Sequence, residues 1–183
     1  IDLNKIANDL RLLSSGPMTG LHEINLPAVE PGSSIMPGKI NPSIVEAVNM
    51  ACHKVIGNDA TITLSAASGQ LELNTHMPVV GYALLESLEI LKNSTHVFAE
   101  KCVKGITANT SQCRWYVEHS MAMATALNPY IGYDKAAQVV KEAMRKGQTI
   151  WEAAAALHVL PYKELNRVLD PKTMIRPNLK KKR

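Results

Sequence analysis

The chain has 183 residues, 46% of them hydrophobic, and a formal net charge of +4. This length fits one domain or a domain with a small appendage, and this apolar content supports a buried core and argues against disorder. No apolar run is long enough to span a membrane, and no charged-then-apolar signal segment opens the chain.

The net positive charge does not indicate a nucleic-acid partner. Residues 180–183 contribute all of it, since the rest of the chain has sixteen basic and sixteen acidic residues (20 − 4 = 16 against 16). Four charges at a terminus are typical of a solvated chain end rather than a basic binding face. Cys52, Cys102 and Cys113 are odd in number and lack a CxxC spacing, which argues against a zinc site or a disulfide framework. We therefore expect no nucleic-acid, membrane or metal partner, and a reducing, cytoplasmic setting.

Residues 2–13 are predicted to form the first element, an amphipathic helix whose leucine and isoleucine residues recur at helical spacing. The stretch SSGPMTG (14–20) breaks this helix. Residues 21–42 follow as a long loop with four prolines. Loops of this length inside compact domains are uncommon and tend to carry function.

Two long helices are predicted next. Asn41-Pro42 indicates the start of a helix that runs towards Ala67, because Asn is a favoured N-cap and Pro fits the first helical position. GQLELN (69–74) marks a break, and a further helix begins at Pro78. Its apolar residues recur at spacings of four and three: Leu84, Leu88, Leu91, Phe98 and Cys102. Both helices are longer than the globular average and apolar on more than one side, as is typical of helices inside a bundle or an oligomer.

Shorter helices are predicted beyond a boundary near residue 107. They are expected at about 111–127, at 134–146 before Gly147, and after a capping box formed by Thr149 and Glu152, with further turns starting at Leu160-Pro161 and Asp170-Pro171. The sequence thus predicts an all-α protein. A long-helix domain over 1–107 precedes a small helical domain over 108–183 with a basic tail.

The loop at 31–42 contains the segment GSSIMPGKINP, which is not a nucleotide phosphate loop. Five residues rather than four separate Gly32 from Gly38, and Ile40 follows Lys39 where a magnesium-binding hydroxyl is required. The residues before it are not a hydrophobic strand. The remaining alternatives are an acid-binding catalytic loop and a simple connector, since Ser, Gly and Pro are common in turns.

The same segment has the residues for binding a small carboxylate. Lys39 precedes a predicted helix N-terminus, whose N–H groups and dipole also favour anions. Asn41 is expected to cap that helix, to present its amide to a ligand, or both. Ser33 or Ser34 could remove a carbon-bound proton beside a carboxylate if nearby positive charge stabilises the alkoxide. Flanking Pro-Gly pairs would let the segment close as a lid.

GSSIMPGKINP resembles the signature loop of the fumarase/aspartase superfamily, GSSxMPxKxN. Further segments that resemble the family lie along the whole chain: IANDLRLLSSGP (6–17), EINLP (23–27), KVIGND (54–59), GQLELN (69–74), GITAN (105–109) and ALNPYIGYDKAA (126–137). The resemblance covers only the C-terminal part of a family subunit. It implies a bundle of long helices that forms a homotetramer core, followed by a small helical domain.

The resemblance also implies a chemistry, namely reversible elimination from a dicarboxylate to give fumarate without an organic cofactor. Ser33 matches the catalytic base, and Lys39 and Asn41 match ligands of the substrate carboxylate, beside Ser34. Glu46 matches a second catalytic group, the acid that pairs with a histidine from another part of the site. From the residues alone, Glu46 would instead be assigned to favourable interaction with the helix dipole.

Two features depart from the family pattern. Met18 replaces the Arg that often follows SGP, and the upstream Thr-His and Ser/Thr-rich substrate segments are not in this chain. Family active sites combine segments of three subunits, so we expect this piece alone to be inactive. None of its six histidines matches the catalytic one, and a lone histidine such as His76, which lies in a helix break, is more often structural.

Within the superfamily, the segments LRLLSSGP, HEINLP, KVIGND and GITAN favour the ammonia-lyase branch, which converts L-aspartate to fumarate and ammonia. GYDKAA and ASGQLELN fit that branch and the class II fumarate hydratases equally. A non-catalytic scaffold is the alternative from another class. The joint presence of Ser33, Lys39, Asn41 and Glu46 argues against it, because folding alone would not require them.

Overall fold

The computed structural model of the chain describes residues 1–33 and 35–175. Over these residues the protein is almost entirely helical, with one short two-stranded ribbon, which confirms the predicted all-α class. The chain divides into two compact units, Ile1–Asn109 and a second unit that begins at Thr110. In the described part of the chain, every helix is too short or too polar to cross a lipid bilayer. The basic tail at 180–183 lies outside the described residues.

Within the described residues, the first unit contains three α-helices, α1 (Asp2–Leu13), α2 (Ser43–Ala67) and α3 (Met77–Lys101), and a short 3-10 helix (Val103–Gly105). The α-helices confirm the amphipathic first helix and the two long ones predicted from the apolar spacing. The break predicted between the long helices is a turn in which the backbones of Gln70 and Leu73 bond to each other. The long helices pack against one another, and α1 packs on α2.

The core of the first unit lies where α1 and the ends of the long helices meet. Its buried residues are Ala7, Val45, Val48, Cys52, Phe98 and Cys102. Ala7 is fully buried, and its small side chain lets α1 approach α2 closely. Burial raises the pKa of the Cys102 thiol, so this cysteine packs as a neutral apolar group.

The apolar residues of α3 divide between two faces. Ala83 and Ser87 are buried, whereas Leu84 and Leu88 are 50% and 57% exposed. Small residues therefore occupy the buried face and allow close packing. The leucines form a second apolar stripe that nothing in the described chain covers.

A polar cluster joins α2 to α3 beyond the core. The amide of buried Asn58 lies within hydrogen-bonding distance of the Ala83 carbonyl, the Glu86 carboxylate and the Ser87 hydroxyl. Lys54 lies 2.9 Å from Glu86, and its ammonium, followed by the Asn58 amide, lowers the pKa of that carboxyl. The cluster fixes the register between α2 and α3, because sliding one helix along the other would leave the buried Asn58 amide without hydrogen-bond partners.

The ribbon pairs two segments that are distant in sequence. Strand β1 (Ile24–Asn25) runs antiparallel to β2 (Thr107–Ala108), with Ile24 opposite Ala108. His22 lies at its edge and bonds the side chains of Asn25 and Asn109. Each strand has two residues, which is too short for the alternating pattern from which a strand is predicted.

The second unit is built from short elements. They are α4 (Thr110–His119), a 3-10 segment (Met121–Leu127), α5 (Asn128–Ile131), α6 (Tyr133–Lys146), α7 (Ile150–Ala156), α8 (Tyr162–Val168) and α9 (Pro171–Met174). A continuous helix over 111–127 was therefore a wrong prediction. The α-helix ends at His119, and the Ser120 hydroxyl accepts the Ala122 N–H to start the tighter 3-10 segment.

Other local signals in this unit are confirmed. Gly147 ends α6 in the left-handed conformation, with φ +65°. Thr149 and Glu152 form the predicted capping box at the start of α7. The core is assembled from α6, α7, α8 and the 3-10 segment, where Leu127, Val139, Ile150 and Leu165 are among the most buried side chains.

Candidate active site

The loop 31–42 is closed at its base, which we call the loop neck and define by Gly32, Lys39 and Asn41. The Asn41 amide donates to the Gly32 carbonyl at 2.7 Å. A Cβ at position 32 would lie 2.0 Å from the Lys39 carbonyl oxygen, so only glycine lets the two backbone segments approach this closely. Just outside the neck, the Ser43 hydroxyl donates to the Glu30 carboxylate. The neck therefore holds both ends of the segment 33–38 in place.

Ser33 lies at the start of that segment and is half-buried. Its Oγ accepts hydrogen bonds from the Ile35 and Met36 backbone N–H groups, each at 3.2 Å. Two donors directed at one oxygen favour its negatively charged form over the neutral hydroxyl. Ser33 is thus held by the backbone rather than buried in an apolar interior, and its local environment suits an alkoxide.

Lys39 lies at the other end of the segment. Its backbone N–H donates to the Met36 carbonyl at 3.3 Å, and Gly38 before it takes a φ of +78° to complete the turn. The side chain of Lys39 is exposed, and within the described residues no carboxylate lies within ion-pairing distance of its ammonium. A cation on an exposed loop beside a helix N-terminus can bind an incoming anion.

Asn41 does not cap the helix, so this part of the sequence prediction was wrong. α2 starts at Ser43 with Pro42 as its N-cap, and no side chain caps it. The reason is the loop neck, because the Asn41 amide is directed back to Gly32 and away from the helix N–H groups. The amide carries a second N–H and a carbonyl oxygen, which leaves groups for a ligand.

Apolar residues of the loop face outward in the described chain. Ile35 is 84% exposed, Met36 49% and Ile40 60%. Exposed apolar side chains beside a candidate catalytic serine are typical of a surface that another chain segment covers. Ser34, which was predicted to bind substrate beside the base Ser33, lies outside the described residues.

Glu46 lies in the first turn of α2, and its carboxylate is 3.6 Å from the Arg11 guanidinium. The same guanidinium lies 3.5 Å from Oδ1 of Asn49, one turn further along α2. Sequence reasoning missed Arg11, which occurs in the recognised segment IANDLRLLSSGP but was not assigned a role. The signal that could have found it is the ordinary pairing of a lone Arg on one predicted helix with a Glu on its neighbour.

Among the histidines, His76 takes part in local structure. His76 is exposed at the start of α3, and both its backbone N–H and its Nδ1 contact the Asn74 side chain. His53 is exposed on α2. Over residues 1–33 and 35–175, no group of three or more histidine, cysteine or acidic residues is arranged to hold a metal ion.

Comparison with known proteins places this geometry in a family. Residues 1–57 match a family model described as Lyase, and residues 123–176 match one described as Fumarase C C-terminus. An aspartate ammonia-lyase of Helicobacter pylori is 48% identical over 182 residues, which is 100% of this chain and 39% of that protein. A class II fumarate hydratase of Rickettsia felis is 48% identical over 175 residues, which is 96% of this chain and 38% of that protein.

A solved structure agrees with the sequence matches. The fumarate lyase:delta crystallin from Brucella melitensis bound to cobalt superposes with a TM-score of 0.90 at 52% identity, over 96% of this chain and 38% of that one. The chain thus spans about two fifths of the length of the relatives it matches. Its sequence follows theirs along the chain, its fold follows theirs over the residues that superpose, and the chain belongs to the fumarase/aspartase superfamily.

Proposed function

We propose that the full-length protein containing this chain is an aspartate ammonia-lyase, which converts L-aspartate reversibly to fumarate and ammonia. Ser33 is the base, and Lys39, Asn41 and Ser34 bind the substrate carboxylate beside the carbon that loses its proton. Glu46 supports a histidine supplied from another part of the assembled site. No organic cofactor takes part in the elimination.

The observation that carries this proposal is the environment of Ser33. Its Oγ accepts two backbone N–H groups at 3.2 Å, and the closed neck fixes the exposed Lys39 at the far end of the same short segment. A serine can remove a carbon-bound proton only when its alkoxide is stabilised. Backbone donors directed at the Ser33 oxygen favour that alkoxide over the neutral hydroxyl.

The steps of the proposed reaction balance without a further reactant. The Ser33 alkoxide takes a proton from the methylene carbon of aspartate, and the electron pair moves into the adjacent carboxylate. Lys39 and Asn41 stabilise the second negative charge that develops there. The pair then forms the carbon–carbon double bond while the bond to nitrogen breaks on the opposite face. The products are fumarate and ammonia.

The assembly that we propose is a homotetramer whose active sites are shared between subunits. Its support is the uncovered apolar surface, both on the loop at Ile35 and on α3 at Leu84 and Leu88. In this assembly residues 1–107 belong to the central helical bundle, and 108–183 form the small C-terminal domain. A cytoplasmic location is part of the proposal, supported by Cys52 and Cys102, which are buried as thiols and not joined in a disulfide.

A class II fumarate hydratase, which would make fumarate from malate, is the second candidate because the Rickettsia felis relative carries that name. Among eight relatives that are 48–50% identical over at least 96% of the chain, six carry the name aspartate ammonia-lyase and two the name class II fumarate hydratase, which favours the first candidate. The scaffold alternative is disfavoured by the environment of Ser33, since a structural role does not require a stabilised alkoxide.

The experiment uses the full-length protein with fumarate as substrate. With ammonium present it should form aspartate, and without ammonium it should form malate only slowly. Ser33→Ala should lower kcat by several orders of magnitude, as loss of a catalytic base does. The variant should still assemble. Ser68→Ala is the matched control, because that exposed hydroxyl bonds only the Leu64 carbonyl at the other end of α2.

The outcomes separate the candidates. Rapid formation of malate from fumarate alone would assign the protein to the hydratases. Near-wild-type turnover by Ser33→Ala would remove Ser33 from the mechanism. A properly assembled wild-type protein that is inactive with both substrates would favour the scaffold.

A further inference from the structure

A chain of polar contacts links α1 to the first turns of α2 just behind the loop, and we call it the Arg11 network. The Arg11 guanidinium lies 3.6 Å from the Glu46 carboxylate and 3.5 Å from Oδ1 of Asn49. The Asn49 amide nitrogen in turn donates to Asn4, at 2.6 Å to its side-chain oxygen and 3.2 Å to its carbonyl. Four side chains from two helices are thus connected.

Helix geometry explains why these residues meet. Asn4 and Arg11 are two turns apart on α1, and Glu46 and Asn49 are one turn apart on α2, so each pair lies on one face of its helix. Between the two α1 residues lies Ala7, which is fully buried. This small residue brings the helices close enough for the guanidinium of one to reach the carboxylate of the other.

Asn49 fixes the direction of the guanidinium. It is only 5% exposed, and its amide nitrogen is occupied by Asn4, so its Oδ1 is the group that remains to accept from Arg11. One arm of the guanidinium is thereby held against α2. The planar fork then directs its other arm towards Glu46. An Arg that only paired with a surface carboxylate would not need a buried amide behind it.

We propose that Arg11 is a positioning residue for Glu46, whose carboxylate it orients for the histidine that the assembled site supplies. This inference rests on the proposed function, because it assigns Glu46 a partner in the reaction. The half-exposed pair itself contributes little to stability. Misplacing a catalytic group by about 1 Å can nevertheless cost about a hundredfold in rate. Loss of Arg11 should therefore lower kcat far more than it lowers stability.

The test uses the full-length protein with Arg11→Met, Arg11→Lys and Glu46→Gln, and the double variant Arg11→Met with Glu46→Gln. Lys5→Met is the matched control, because Lys5 is on the same helix and pairs only with Asp9. Arg11→Met should reduce kcat by about tenfold to a hundredfold and leave KM within about twofold to threefold of wild type. Arg11→Lys should be intermediate, since it keeps the charge but not the fork.

The double variant makes the test specific. If Arg11 acts through Glu46, the double variant should have a kcat only slightly below that of Glu46→Gln alone. An equal loss in both backgrounds, or a kcat for Arg11→Met equal to that of Lys5→Met, would overturn the inference. If Arg11→Met does not assemble, Arg11→Lys replaces it in the test. The loss of kcat caused by Arg11→Lys is then compared between the wild-type and the Glu46→Gln backgrounds.

Failure of the inference can be told apart from failure of the proposed function. An active wild type, an inactive Ser33→Ala and a fully active Arg11→Met would reject only the role of Arg11. A wild type without elimination activity, or a Ser33→Ala variant that keeps it, would reject the function and the role of Arg11 together.

Discussion

Gly32 shows how a single residue controls the geometry of the candidate catalytic loop. The loop neck requires a backbone approach that no side chain permits, and it holds Ser33 immediately next to that contact. The two N–H groups that bond the Ser33 oxygen come from residues inside the closed segment. Opening the neck would therefore disturb the donors and the oxygen together.

We expect Gly32→Ala in the full-length protein to lower kcat/KM by about a hundredfold, because the neck must open to admit the new Cβ. Gly38→Ala is the comparison in the same loop. No atom lies within 4 Å of its added Cβ, although its φ of +78° strains the turn. Steady-state kinetics should thus show a smaller loss for Gly38→Ala. A greater loss of kcat/KM for Gly38→Ala than for Gly32→Ala would mean that the loop neck does not determine the geometry of the site.

The candidate residues could be predicted from the sequence, but their contacts could not. Ser33 and Lys39 were identified from the loop motif, whereas the bond from Asn41 to Gly32 replaced the expected helix cap. Local propensity ranks Asn as a cap, but it cannot show that the Asn41 side chain is oriented towards a glycine nine residues earlier, to which its amide nitrogen donates. Arg11 was missed for the same reason, since its contact with Glu46 depends on how two helices pack.

At the scale of elements, the capping box of α7 is a local signal that the structure reproduces. The Thr149 hydroxyl accepts the Glu152 N–H, and the Glu152 carboxylate accepts from both the backbone N–H and the hydroxyl of Thr149. These bonds, the backbone one first, lower the pKa of Glu152. All of the partners lie within four residues, so the sequence alone was sufficient to predict them.

We expect Thr149→Ala to destabilise α7 by about 1 kcal/mol, which should increase hydrogen exchange of its amides by about fivefold at pH 7. Thr149→Ser keeps the accepting oxygen and should exchange nearly as wild type. Because the folded pKa of Glu152 is lowered, its contribution is complete above its ordinary value of 4.5 and is lost as the pH falls through the folded pKa. The difference between wild type and Thr149→Ala should therefore narrow at acid pH. Equal exchange of both proteins at pH 7 would contradict a stabilising role for the box.

Elements that depend on distant partners were harder to predict. The ribbon joins Ile24–Asn25 to Thr107–Ala108 across more than eighty residues, and each strand is too short to show alternation. The end of α4 at His119 was missed because Met121–Leu127 keeps good helix formers. A serine at 120 that bonds its own downstream backbone was enough to change the helix type.

At the scale of the whole molecule, α3 has an apolar stripe that the described chain leaves uncovered. Leu84 and Leu88 are one turn apart, and Leu85 beside them is 67% exposed. The opposite side of the helix uses Ala83 and Ser87 to pack closely on α2. Large apolar residues on the outer side and small ones on the inner side indicate a helix that packs on both sides. The proposed tetramer would supply the missing partner.

Leu88→Lys tests whether this stripe is the subunit interface of the full-length protein. The side chain is 57% exposed in the single chain, so folding of the subunit should survive, whereas an unpaired charge buried between subunits costs several kcal/mol. We expect light scattering to show dissociation of the proposed tetramer and aspartate turnover to fall in parallel, because the active sites are proposed to be shared between subunits. Asn93→Lys, which adds the same charge on the exposed surface of α3 outside the stripe, should stay assembled and active. A Leu88→Lys protein that remains a tetramer would show that α3 packs on its partners through another face.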